Sequence, residues 1–267
     1  MSEEKIKFVI LAPQRTGSNL LVSYLDHINA IRCRYDIMCY KSLESNQDFI
    51  KEFGITNFIE SCYHHNFDGN MKFKEEIENP NLANGFKLSY KDLMNYYFYD
   101  NGVLKSSLKP EDEIEEILDY FKQNNYKIIL LDRKSKIEQY YSFKTAENTN
   151  KWMITDEKDL PERDESITVD MNNFDYYITN NVNWEKYAKD RLSEFDTFNL
   201  LYEEFVKDIE GTVAKICEFL DVRFNFNIEH LENRIPIKQR RTNIVNLIEN
   251  YSEVRQYLRR RKLNKWV

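Results

Sequence analysis

Eight residues near the N-terminus, Ala12-Pro13-Gln14-Arg15-Thr16-Gly17-Ser18-Asn19, have the types and spacing to hold an anion. They follow an apolar run, Ile6 to Leu11, and precede a segment in which Leu21, Tyr24, Leu25 and Ile28 recur at i, i+3, i+4 and i+7. The run reads as a strand buried on both faces, and the recurrence as an amphipathic helix. A loop between such elements aims free backbone N–H groups and the positive end of a helix dipole at one point. Gly17 lets a ligand approach the backbone closely, and Ser18 and Asn19 can add side-chain hydrogen bonds. The nucleotide-loop pattern G-x-x-x-x-G-K-[ST] is met only in part. Ala12 stands for the first Gly, Ser18 for the Lys, and Asn19 for the hydroxyl that binds magnesium. The chemistry these residues point to is phosphate binding without NTP hydrolysis.

Metal and thiol chemistry have little support. His64 and His65 are adjacent and, on a strand, would point to opposite faces, a poor metal pair. No metal site is expected. Cys33, Cys39, Cys62 and Cys217 form no C-x-x-C pair, so free thiols in a reduced compartment are expected. Cys217 falls on the apolar stripe of a helix and reads as core.

The loop needs a scaffold, and the remaining periodicity supplies one. A helix carrying Ile114, Ile117, Leu118 and Phe121 precedes a second apolar run, Ile128 to Leu131. Asp132 and Arg133 end that run, and a helix-like segment from Ser135 to Glu147 follows. Phe198 to Tyr202 reads as a short strand. Val213, Ile216, Cys217 and Leu220 mark the next helix, and Ile244, Leu247, Ile248, Tyr251 and Leu258 the last. Strands alternating with helices imply an α/β fold, a three-layer sandwich with a central, mainly parallel β-sheet flanked by helices. Residues 1–267 are read as one domain. Asn148–Asn183 is read as a loop-rich insertion over one end of the sheet, and 234–267 as a basic C-terminal loop and helix.

Composition agrees with a globular chain: 267 residues, 42% hydrophobic and 14% aromatic. No apolar run approaches the roughly 18 residues of a membrane span, and no apolar h-region opens the chain, so a soluble cytoplasmic protein is expected. Charge is uneven. From Arg234 on there are ten Lys and Arg against two Glu, and before it 28 against 43 Asp and Glu. A basic end on an acidic body suggests an anionic partner there, with a solvated basic helix as the alternative.

Four segments, in order, resemble the PAPS-dependent sulfotransferases, of the bacterial or carbohydrate-directed type (PAPS is 3′-phosphoadenosine 5′-phosphosulfate). Pro13 to Leu21 resembles that family's 5′-phosphosulfate loop. Ile128-Ile129-Leu130-Leu131-Asp132-Arg133 with Ser142 looks like its 3′-phosphate site. Tyr202-Glu203-Glu204-Phe205, with Phe219-Leu220-Asp221-Val222, is similar to its Y-E-D-L … F-L-G-V stretch. Gly85-Phe86-Lys87-Leu88 and Lys238-Gln239-Arg240-Arg241-Thr242 resemble further segments. The R-K-G-x-x-G-D-W-K motif of the cytosolic branch is absent, and Lys238 to Arg241 stands in its place.

The resemblance implies a sulfuryl transfer from PAPS to a hydroxyl of a carbohydrate, glycolipid or other small acceptor, leaving PAP, the 3′,5′-bisphosphate. Arg15, Thr16, Gly17, Ser18, Asn19, Arg133, Ser142, Arg240 and Arg241 are the implied donor-binding residues. Arg15 is implied to stabilise the leaving group. Asp36 stands roughly where relatives carry a Glu base, with His27 as its rival, and Lys87 is a candidate contact to the sulfuryl group. No nucleic acid partner is expected, and the sequence leaves oligomeric state open. Two other readings remain: a nucleotide- or nucleic-acid-binding module with a degenerate phosphate loop, and an inactive sulfotransferase-like binding protein. The aromatic residues Trp152, Tyr176, Tyr177 and Trp184 are candidates to stack on an acceptor or to pack a core.

Overall fold

A computed structural model describes residues 5–67, 73–76, 82–90, 93, 95–100, 103–108, 111–160, 164–223, 236 and 242–264. The chain runs β1 (Ile6–Ala12), α1 (Ser18–Leu25), β2 (Ile31–Arg34), α2 (Tyr40–Ser45), α3 (Gln47–Phe53), α4 (Ile55–His64), β3 (His65–Phe67), β4 (Phe73–Glu76) and β5 (Ala83–Ser89). It continues through β6 (Asn95–Asp100), β7 (Val103–Leu108), α5 (Glu111–Gln123), β8 (Lys127–Asp132), α6 (Lys136–Thr149), α7 (Met171–Arg191), β9 (Thr197–Leu201), α8 (Tyr202–Lys207), α9 (Ile209–Phe219) and α10 (Tyr251–Arg260).

Five strands form one sheet in the order β2-β5-β1-β8-β9, and every pairing in it is parallel. The expected three-layer α/β architecture is what the chain adopts. Side chains of a strand alternate between faces, and β1 shows why both faces must be covered. Phe8, Ile10 and Ala12 enter a core with Leu21, Leu25, Val213 and Ile216, from α1 and α9. Val9 and Leu11 enter the opposite core with Phe58, Ile117, Phe121 and Trp184, from α4, α5 and α7. Burying a Phe or Leu side chain contributes about 1.5 to 3 kcal/mol each, so a central strand buried on both faces fixes the sheet order. A third cluster joins α6, α7 and α10 through Ile137, Tyr140, Phe174, Ile178, Val254 and Leu258.

From β1 the chain moves to β2 and β5 on one side, and β8 and β9 lie on the other. The crevice at the C-terminal ends of β1 and β8 is thus a topological switch point, where open parallel sheets hold ligands.

Three expectations change. The segment Asn148–Asn183 is not loop throughout, because α7 begins at Met171 and runs 21 residues, past the segment's end. Asp170 caps it by accepting from the Asn173 N–H at 2.8 Å, and Phe174, Ile178, Asn181, Trp184 and Ala188 are buried along one face. The last helix is shorter than its pattern, since Ile244–Asn246 is a 3-10 turn and regular helix starts at Tyr251. His64 ends α4 and His65 starts β3, so the pair never shares a strand. Among the described residues, no helix is long and apolar enough to cross a membrane.

Candidate active site

The loop after β1 is closed by its own groups. The Thr16 hydroxyl, fully buried, donates to the Pro13 carbonyl at 2.8 Å, so this side chain shapes the loop. Arg15 and Gly17 both take positive φ, 63° and 82°. At Gly17 a side chain has no room: a Cβ would lie 2.5 Å from the Tyr202 ring. The ring therefore presses the loop from below, and only glycine satisfies both the backbone and the contact. Gly17 is the N-cap of α1, and no side chain caps the helix and no acidic residue occupies its first turn. The first-turn N–H groups and the helix dipole then favour an anion. Ser18, nearly buried, is the first helical residue, and Asn19 follows it.

Arg133 leaves the end of β8 and reaches this loop. Its Nη1 donates to the Arg15 carbonyl at 3.2 Å, and its guanidinium stacks over Tyr202 at 4.7 Å from the ring centroid. Glu138 holds Nη2 at 2.7 Å, while Nε is buried without a hydrogen-bond partner among the described residues. Arg15 in turn donates from Nε to the Ser142 hydroxyl at 3.0 Å and from Nη1 to the Trp152 carbonyl. Burial, and then the Arg133 charge, push the Arg15 guanidinium down to about 10. It stays a cation at neutral pH. The Arg133 charge acts on Arg15 while Glu138 pairs with Arg133, so the loop end carries two cations with one carboxylate held against them. Arg15, Arg133 and Ser142, which sequence reading proposed from segments 118 and 127 residues apart, meet in one hydrogen-bonded set.

The remaining candidates meet on the other side of β1. Lys87 stands on β5 beside Ile10 of β1. Its Nζ lies 2.6 Å from Asp36 Oδ2 and donates to Asn19 Oδ1 at 3.0 Å. Asp36 also accepts the Ser89 N–H at 3.0 Å through its other oxygen. The carboxylate follows β2 and is held by both the cation and the end of β5. Asn19 is the bridge between this ion pair and the loop.

His27 lies elsewhere in the hydrogen-bond pattern. Its Nδ1 is 2.5 Å from the Ser23 carbonyl, which closes the last turn of α1. Arg240 and Arg241 lie outside the described residues. Among the described residues, no group of three His, Cys, Asp or Glu could hold a metal ion.

Sequence reading missed the residues that hold the loop in place. The Glu203 carboxylate accepts the N–H groups of Lys134 and Ser135, at 3.0 and 3.2 Å, and so anchors the turn into α6. Gln139 Nε2 donates to the Gln14 carbonyl at 2.6 Å. The Tyr202-Glu203 pair was visible as a motif, but its role required the contact with Gly17 and Arg133. Nothing local marks Gln139.

The family model for the sulfotransferase family matches residues 8–225. The chain belongs to that family. Sulfuryl transfer is the chemistry of this family, and the match spans the loop, Lys87, Arg133, Ser142 and the Tyr202 motif. A solved sulfotransferase from Alicyclobacillus acidocaldarius is 12% identical, with 98% of this chain and 94% of that chain covered and a TM-score of 0.50. It shares the fold of this family member. A sulfotransferase domain from the curacin biosynthetic pathway is 17% identical over 91% and 82% of the two chains, with a TM-score of 0.47. A mouse sulfotransferase complexed with PAP is 15% identical over 83% and 61%, with a TM-score of 0.42. No curated protein matches the chain in sequence.

Proposed function

We propose that this sulfotransferase moves a sulfuryl group from PAPS to a hydroxyl acceptor, with Asp36 as general base. One observation carries the reading: Arg15, Arg133 and Ser142 meet beside the uncapped start of α1, at the sheet's switch point. The site suits a ligand with two phosphate-like ends. The buried Nε of Arg133, without a hydrogen-bond partner among the described residues, and the two cationic side chains fit such an anion. The first turn of α1 and Arg15 would hold the 5′ end, and Arg133 with Ser142 the 3′-phosphate.

PAPS, when bound, supplies the sulfuryl group and a phosphate leaving group. The chain's own residues then divide the remaining work, much of it positioning and charge stabilisation. Asp36 accepts the proton of the acceptor hydroxyl as its oxygen bonds to sulfur and the sulfur–oxygen bond to phosphate breaks. Lys87 holds that carboxylate in place through their 2.6 Å ion pair. Arg15 neutralises the charge growing on the departing phosphate, and as a fixed cation it donates no proton.

Thermal unfolding with PAP, ATP, GTP and AMP, each with and without Mg²⁺, tests the donor. A ligand bound by the folded state alone raises the midpoint without any acceptor. PAP is expected to do so without metal and more than the others. A larger shift from Mg-ATP, or none from PAP, overturns the reading.

A further inference from the structure

Lys136 is a buried cation that the sulfuryl-transfer step does not use. It is the first residue of α6 and is 1% exposed. Local physics opposes a lysine there. The first turn of a helix disfavours a positive charge, and burial removes the water that would solvate it. Asp132, the last residue of β8, offsets that cost. Its Oδ1 accepts from Lys136 Nζ, one helical turn on, and the same oxygen accepts the Arg133 N–H at 2.7 Å. The carboxylate is thus pinned from two sides, at the turn from which Arg133 departs.

Where that carboxylate points matters to the site. Asp132 directly precedes Arg133, and both charges lie within range of one buried phenol. Burial above all pushes the Tyr177 hydroxyl up, while Arg133 lowers it and Asp132 raises it. A carboxylate so placed is a ready partner for the neighbouring guanidinium, and charge-assisted pairs of that kind are the strong ones. Arg133 already gives Nη2 to Glu138 at 2.7 Å. With Asp132 held by Lys136, the loop end sets the cations of Arg15 and Arg133 against the Glu138 carboxylate. With Asp132 turned onto Arg133, two carboxylates would balance two cations, and the attraction for an anion would be largely cancelled.

We infer that Lys136 is a positioning residue for the donor site: by holding the Asp132 carboxylate, it keeps a competing anion off the Arg133 guanidinium. Lys136 itself touches neither donor nor acceptor. The inference rests on the donor reading above and adds to it a residue that acts through Asp132 and Arg133. It differs from a bracing role in one consequence. A lysine that only braced the turn would be missed equally whether or not Asp132 kept its charge, whereas here the harm comes from the charge that Lys136 releases.

The test is calorimetric titration of PAP into the full chain and into two variants of it. Lys136→Met nearly keeps the side chain's length and removes its charge, and it should weaken PAP about tenfold, part of a charge-assisted contact. Adding Asp132→Asn removes the competing carboxylate and should bring the affinity back to within about twofold of wild type. If Lys136→Met does not fold, Lys136→Gln takes its place with the same expectations. An unchanged affinity in the single variant, or no recovery in the double variant, overturns the inference. If PAP does not bind the wild type, the donor reading fails by itself, and the inference is then decided without ligand. The Arg133 Nε–H resonance of the ¹⁵N-labelled protein, assigned by its absence from Arg133→Lys, should move in Lys136→Met and return in the double variant. A resonance that stays in place in the single variant, or fails to return in the double, overturns the inference.

Discussion

At the scale of residues, the proposed function separates holding from reacting. On that proposal Arg133 gives the donor charge-assisted contacts worth about 1.5 to 3 kcal/mol, so Arg133→Ala should weaken PAP binding roughly 10- to 100-fold. A calorimetric titration checks this, and an unchanged affinity removes Arg133 from the donor site. Asp36 is engaged by Lys87 and the Ser89 N–H rather than by the donor loop. Asp36→Asn should therefore leave PAP binding intact while turnover falls by about 10²- to 10⁴-fold, the usual contribution of a positioned base. Full turnover in that variant would disqualify Asp36. These residues differ in how legible they were. Arg15 and Arg133 each sit at a junction of strand and helix, and Ser142 lies two turns into the helix that follows, so their types and positions could be read from the sequence. The link from Asn19 through Lys87 to Asp36 depends on the register Ile10↔Lys87 between β1 and β5. That register arises from packing over a separation of 77 residues, and no local pattern encodes it.

At the scale of elements, the loop is held by what lies under it. Gly17→Ala would force a methyl group against the Tyr202 ring and leave a non-glycine residue at φ 82°. The left-handed backbone costs about 1 kcal/mol and the overpacking about 1 to 3 more. Denaturant unfolding should show roughly 2 to 4 kcal/mol lost, most of it from the clash. The same change in a Tyr202→Ala background should cost less, because the clash is gone. Additive losses in the double-mutant cycle would mean that the ring does not constrain the loop. The contrast between strands and helices explains what was legible here. Phe8 to Leu11 and Ile128 to Leu131 are unbroken apolar runs, which suit burial on both faces of a sheet. On α7 the buried Phe174, Ile178, Trp184 and Ala188 are spaced among Asn, Tyr and Lys, so the apolar stripe is thin and the segment reads as loop. The helix exists because β8 and α6 offer it a surface, a tertiary effect that overrides weak local preference.

At the scale of the whole molecule, donor binding must be visible as stability. The two cores meet at β1, whose end carries the loop, so a ligand on Arg15 and Arg133 bridges the switch point between β1 and β8. PAP held at 100 times its dissociation constant should add about 2.7 kcal/mol to the folded state. For a chain of this size, each kcal/mol moves the midpoint by roughly 2 to 4 °C, so the shift should be roughly 5 to 10 °C. The same PAP concentration should give a smaller shift with Arg133→Ala, in proportion to its weaker binding, and an unchanged one with Asp36→Asn. The phosphates and the guanidinium groups attract by charge, so raising salt should shrink the shift in the wild type. A salt-independent shift, or one equal in wild type and Arg133→Ala, would move the bisphosphate away from the paired guanidinium groups and leave the loop without its ligand.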